Sequence, residues 1–308
     1  AAVRMNLQDG KIGEFAMEGL DARTPQGPVK MARFALNSLD IANLLRMSAQ
    51  FSNPAKKPTP DQLLGLLALL QGVEVKGVVA PFATPGKTVN LDTFNLNWGQ
   101  FVGPIPSRAR VALKMTTPVD AKKPSMAPLV AAGIDTISTD DDLGATWTEA
   151  SGAFMLDPVK IQLGGVMDAS ARISLGHVQR QVFSFNPQQA TAMAAQIEAG
   201  TIEVTVHDLG GVDLAVKQYA RQQNVSPDAA RQAIIESLKT ETADSIAANP
   251  DVAIIVDALS GFIEKPGSTL TLKLTPRGKV LAMPLIPQVE NDPQGALAQF
   301  QVEASTRQ

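Results

Sequence analysis

The chain has 308 residues and no cysteine, which removes disulfides, thiol nucleophiles and cysteine metal sites from consideration. Aromatic residues are scarce, with one tyrosine and two tryptophans, and the formal charge is −3. A nucleic-acid binder needs a basic footprint or stacking platforms, so nucleic acid is not an expected partner. No apolar run reaches the roughly 18 residues that mark a membrane-spanning helix. Histidine occurs only at His177 and His207, which leaves little material for acid–base or metal chemistry. The chain opens on Ala1, and a targeting segment or membrane anchor is expected to be absent from it.

What is present is alternation. Apolar and polar residues alternate at 3–7, 12–20, 29–36, 73–79, 88–98 and 107–116, and each run reads as a strand with one solvated face. Asp9-Gly10 between the first two runs is a hairpin signal. A second series of short strands is expected at 134–138, 145–149, 152–156, 159–163 and 169–175, with turns at 139–144, Asp157-Pro158 and Gly164-Gly165. Beyond Pro276 a strand at 279–283, a short helix at 295–300 and a final strand near 301–304 are expected.

Helices are concentrated between 186 and 264. Ser226-Pro227-Asp228 combines an N-cap, a proline at the first helical position and an acid at the positive end of the dipole. Asn249-Pro250 breaks that helix. The next carries Val252, Ile255, Val256, Leu259, Phe262 and Ile263 on one side. Strands at 201–207 and 269–275 flank this block and are expected to share a sheet. Earlier, Asp40 is placed to cap a helix at 41–51. After Thr59-Pro60-Asp61, leucines surround a short helix at 61–70 almost completely, so it is buried or touches something apolar. The expected fold is α+β: strongly twisted antiparallel β-meander sheets with helices packed on one face, in an elongated body. Length favours two units, an N-terminal strand-rich α+β unit at 1–132 and a C-terminal meander with the helical block at 133–308.

No constellation of catalytic groups emerges. The acids Asp140, Asp141 and Asp142, near Asp135, lack the spacing of a calcium loop and read as a solvated turn. His207-Asp208 stands at a strand end without a nucleophile motif, a zinc-binding helix or a phosphate loop. The paired glycines Gly164-Gly165 and Gly210-Gly211 lack a dinucleotide-binding context. Trp98 and Trp147 read as core anchors or sheet-edge packing. The chain is therefore expected to be no enzyme, with no cofactor and no metal.

Leu91-Asp92-Thr93-Phe94-Asn95-Leu96-Asn97-Trp98, Ile134 to Ser138 with Trp147-Thr148-Glu149-Ala150, and Pro266-Gly267-Ser268-Thr269-Leu270-Thr271-Leu272 resemble segments of uncharacterised bacterial periplasmic proteins. More distantly, their strand-turn-strand cadence is similar to AsmA-like envelope proteins. That resemblance covers most of the chain. It implies an exported periplasmic protein of the cell envelope and, from the AsmA-like side, a lipid-binding groove; no functional residue is carried over from it. The helical block is larger than the cadence requires.

The expectation is a non-enzymatic periplasmic protein that binds or carries an apolar ligand such as a lipid in a groove between curved sheet and helices. The groove residues are expected to be Leu63, Leu66, Leu67, Leu70, Val256, Leu259 and Phe262. The alternative is a scaffolding envelope protein with protein partners and no small-molecule ligand, whose apolar surfaces simply make its core.

Overall fold

Period-two alternation persists along nearly the whole chain, and it builds one sheet. The computed structural model describes residues 2–8, 11–51, 65–103, 105–184 and 186–308. Twelve strands pair antiparallel, each with the one before it in sequence: β1 (Ala2–Gln8), β2 (Lys11–Thr24), β3 (Gly27–Leu39), β4 (Gly72–Pro81), β5 (Thr88–Val102), β6 (Ile105–Pro118), β7 (Thr136–Thr148), β8 (Ala153–Leu163), β9 (Met167–Gly176), β10 (Glu198–Asp208), β11 (Thr269–Pro276) and β12 (Phe300–Arg307). β1 and β12 are its edges. The fold is α+β, and the sheet runs without interruption past residue 132, since β6 and β7 pair from Arg108↔Thr146 to Pro118↔Thr136.

The helices lie between strands. They are α1 (Ile41–Phe51), α2 (Ala127–Ala131), α3 (Pro187–Ala194), α4 (Gly211–Gln223), α5 (Pro227–Glu241), α6 (Ala243–Ala248), α7 (Asp251–Glu264), α8 (Ala282–Asn291) and α9 (Pro293–Ala298). The caps follow the sequence. Asp40 Oδ1 accepts from Asn43 N at 3.0 Å, and Ser226 Oγ accepts from Ala229 N at 3.2 Å, each satisfying a donor that the first helical turn leaves free. The 227–248 stretch divides at Thr242 into α5 and α6. α7 packs across β12 and β11, with Thr306 Oγ1 donating to the Ala258 carbonyl.

Two expectations about strands are corrected. Where two strands within 134–149 were expected on either side of an acidic turn, β7 (Thr136–Thr148) is one strand that passes straight through Asp140, Asp141 and Asp142. Ion pairs to β6 hold the acids in the ladder, Lys114 Nζ to Asp140 Oδ2 at 2.9 Å and Arg110 Nε to Asp142 Oδ1 at 2.7 Å. The two strands expected within 152–163 are likewise one, β8 (Ala153–Leu163), with Asp157-Pro158 forming a bulge opposite Gly144. A third correction falls at 279–283, where pairing shrinks to a single bridge, Glu198↔Leu281, and the chain enters α8. Asp9-Gly10 and residues 61–64 of the leucine-rich segment lie outside the described residues.

Register turns local alternation into two chemically distinct faces, because directly paired residues point to the same side. One row crosses all twelve strands as Met5, Phe15, Leu36, Val73, Leu96, Val111, Leu143, Val159, Ala171, Val204, Leu272 and Ala304. Every member is apolar. The adjacent row on the same face runs Val3, Met17, Phe34, Val75, Phe94, Leu113, Asp141, Ile161, Ala169, Val206, Leu270 and Thr306. The opposite face carries the charges. Arg33 sits among Glu14, Glu18 and Glu74 at 2.6, 2.8 and 2.8 Å, Arg172 pairs with Asp157 at 3.0 Å, and Lys273 with Glu303 at 3.5 Å.

Candidate apolar binding face

A sheet with one apolar face ordinarily covers it with another layer. Here the cover is partial. No side chain of the two apolar rows is fully buried; most are half-buried, and Leu143 and Ile161 remain 42% exposed. Full burial on this face occurs at its margins. Under α7 and α9, Phe300 and Val302 are 3% and 5% exposed. At the end of the sheet shared by β6, β7, β8 and β9, Trp147 packs with Ile105, Val178 and Ile197. Its Nε1 donates to the Val178 carbonyl at 2.8 Å, and its ring lies 4.8 Å from that of Phe183. Among the described residues, helix packing on the sheet is concentrated on β11 and β12.

Beside those last strands the apolar face continues into a cleft of about 200 Å³, lined by Ile202, Leu274, Leu285, Val289, Leu297 and Phe300. α8 forms one wall through Leu285 and Val289, while its Met283 and Ile286 remain exposed. A second cleft, of about 280 Å³, lies at the bulge of β8 among Lys160, Ser170, Arg172, Glu203 and Thr205. It belongs to the charged side of the sheet.

The residues expected to line a groove fall in two places. Leu66 and Leu67 lie in a helical turn at 65–67, and Leu70 just after it, ahead of β4. Leu66 is exposed, Leu67 and Leu70 are half-buried, and the Leu67 carbonyl accepts from Trp98 Nε1 at 2.7 Å. Leu67 packs on the Trp147 cluster. Val256, Leu259 and Phe262 belong to α7, with Val256 buried and the other two half-buried. Leu63 lies outside the described residues. The turn adjoins one end of β5–β7, while α7 lies over β11 and β12, so the two groups do not form a single cluster. A further apolar surface is the sheet face itself, through half-buried residues such as Phe34, Val75, Phe94, Leu96 and Val111. Alternation marked each of these as one face of its strand; that they form continuous rows depends on register between strands.

The remaining polar candidates serve the fold. Asp208 is 3% exposed. Burial raises its pKa, but backbone N–H groups of Gly267, Val212, Gly210 and Gly211 lower it more, and the net direction is down. Its Oδ1 accepts from Gly210 N and Val212 N at 3.1 and 3.0 Å and its Oδ2 from Gly267 N at 2.9 Å, so it ties the start of α4 to the approach to β11. His207 meets Thr269 Oγ1 at 3.0 Å on the exposed side. Asp140 and Asp142 point to the opposite side of β7 from Asp141, so the acidic run cannot converge on one cation. Among the described residues, no group of three or more histidine or acidic side chains is arranged to hold a metal.

A family model described as "Uncharacterized protein" matches residues 160–307, from within β8 to the end of β12. The match takes in every helix from α3 onward and the 200 Å³ cleft; its description makes no link to AsmA-like proteins. No curated protein matches the chain. Among the described residues, no helix is long and apolar enough to cross a membrane.

Proposed function

We propose that this chain is a non-enzymatic carrier that holds the alkyl chain of a lipid-like molecule along the apolar face of its sheet. The observation that carries the proposal is the pair of apolar rows across twelve strands, none of whose side chains is fully buried. Folded monomers rarely leave a contiguous apolar surface of more than a few hundred Å² without a binding role. Strands lie about 4.8 Å apart, so the eight intervals from β2 to β10 span roughly 38 Å. That exceeds the ~30 Å hydrocarbon thickness of a bilayer, and an extended acyl chain fits lengthwise. The usual right-handed twist of sheets would shape this face into a trough along an elongated body, with Leu66, Leu67 and Leu70 at one rim and α7, through Leu259 and Phe262, at the far end. The cysteine-free composition suits the oxidising bacterial periplasm, which is the proposed location.

The test is titration of an uncharged fluorescent alkyl-ester probe into the purified chain and into Leu96→Asn. The wild type is expected to bind, and the variant to bind about tenfold more weakly while melting within a few degrees of it. Absence of binding in the wild type, with concentration-dependent self-association, would refute the carrier and favour a scaffold that covers the face with protein.

A further inference from the structure

Asp141 is the one charged residue in the two apolar rows. Its register partners are Leu113 on β6 and Ile161 on β8, and Leu143 follows it on the same face of β7. The two neighbouring acids are neutralised on the opposite face by Lys114 and Arg110. Arg110 holds Asp142 below the usual carboxylate range, chiefly through its hydrogen bond. For Asp141 the arrangement differs: Thr139 Oγ1 donates to its Oδ1 at 2.8 Å, and no basic side chain among the described residues forms an ion pair with it. A hydroxyl satisfies one acceptor site and supplies no positive charge.

While the face is wet, this carboxylate is hydrated. An alkyl chain laid along the row removes that water, and an ionised carboxylate under hydrocarbon is strongly unfavourable unless the incoming molecule supplies a partner. We infer that Asp141 selects the ligand: the chain held on this face bears a protonated amine, which pairs with Asp141 while its hydrocarbon lies along the Phe94 and Val111 side. The inference rests on the carrier reading, and charge complementarity commits it to amine-bearing amphiphiles over fatty acids. A purely structural role also exists for such a residue, since an inward-pointing charge deters sheets from stacking on one another. The two roles give different outcomes below.

The experiment compares dodecylammonium, dodecanol and dodecanoate at pH 7, each below its critical micelle concentration, on the full chain and on Asp141→Asn and Asp141→Leu. A charge-assisted hydrogen bond at a half-dry site corresponds to about a tenfold preference. The wild type should bind dodecylammonium at least that much more tightly than dodecanoate, and both variants should lose the preference while still binding dodecanol. Ethanolamine, which lacks the chain, should not compete. Asp141→Asn is nearly isosteric, and an unchanged melting temperature keeps its result free of folding effects. Dodecanol binding without an ammonium preference in the wild type would overturn the role of Asp141 and leave the carrier standing. Binding ratios unchanged in the variants, accompanied by new self-association, would assign Asp141 to keeping sheets apart. Failure of all three amphiphiles to bind would remove the carrier reading itself.

Discussion

Arg33 offers the sharpest test of how the charged face supports the sheet. Its guanidinium donates to carboxylates on two flanking strands, Nη2 to Glu14 at 2.6 Å, Nη1 to Glu18 at 2.8 Å and Nε to Glu74 at 2.8 Å. The group is only 23% exposed. Arg33→Met keeps the stem that lies on the sheet but removes five donors and the positive charge. Glu18 retains Arg4 at 3.2 Å and Glu74 retains Lys76 at 2.8 Å; Glu14 loses the guanidinium. Partly exposed pairs contribute about 0.5–1 kcal/mol each after screening, and the remaining acids then repel one another. A loss of about 2 kcal/mol at pH 7 is expected in urea melts. The pH dependence fixes the cause. Burial raises the pKa of Glu74, but its hydrogen bonds to Lys76 and Arg33 lower it more, so the folded value lies below the unfolded one. Stabilisation from such a group is complete above the unfolded value of about 4.3 and is lost as pH falls through the folded value. The difference between wild type and variant should therefore shrink between about pH 5 and pH 3. A deficit under about 0.5 kcal/mol at pH 7, or one that is unchanged at pH 3, would refute the reasoning.

Phe300→Ala should cost about 3–5 kcal/mol, because the ring is 3% exposed and its removal leaves a cavity. Leu96→Ala, on the open part of the same face, should cost about 1 kcal/mol, and equal losses in denaturant melts would mean that the face is covered in solution. At Gly144 a Cβ would stand 2.6 Å from the Asp157 carbonyl oxygen and 2.8 Å from Pro158 Cδ. Gly144→Ala should accordingly lower stability by about 2 kcal/mol or more, and an unchanged melting temperature would show that the bulge moves aside freely.

Much of the fold was legible where the signal is local. Strand alternation, the caps at Asp40 and Ser226, the break at Asn249-Pro250 and the strands on either side of the helical block are each set by a few neighbouring residues. The failures share one cause, which is that distant partners override local preference. Three consecutive aspartates followed by Leu143-Gly144 favour a turn, but Lys114 and Arg110 on β6 hold two of them in a strand. Asp157-Pro158 reads as a chain reversal, and becomes a bulge because Gly144 leaves room opposite. The apolar side of each strand was visible in isolation. The face those sides make together was not, because residues such as Phe34, Phe94 and Leu113 become neighbours only through register. Sequence alone therefore points to the leucine-rich helices, where apolar residues are close along the chain, and not to the sheet, where they are close in space.

The unbroken order of the strands also bears on how this protein comes into being. Among the described residues each strand pairs with the one made just before it, with no crossover, and the longest intervals between mates are those before β4 and β11. Such near-neighbour pairing lowers the entropic cost of closing loops and lets structure propagate from an early hairpin, much as it does in repeat arrays. A chain emerging N-terminus first from a ribosome or a membrane pore can add strands in sequence and at each stage present only its newest edge. Shortening the gene from its 3′ end would by the same logic remove strands one at a time, with every earlier strand keeping its partner.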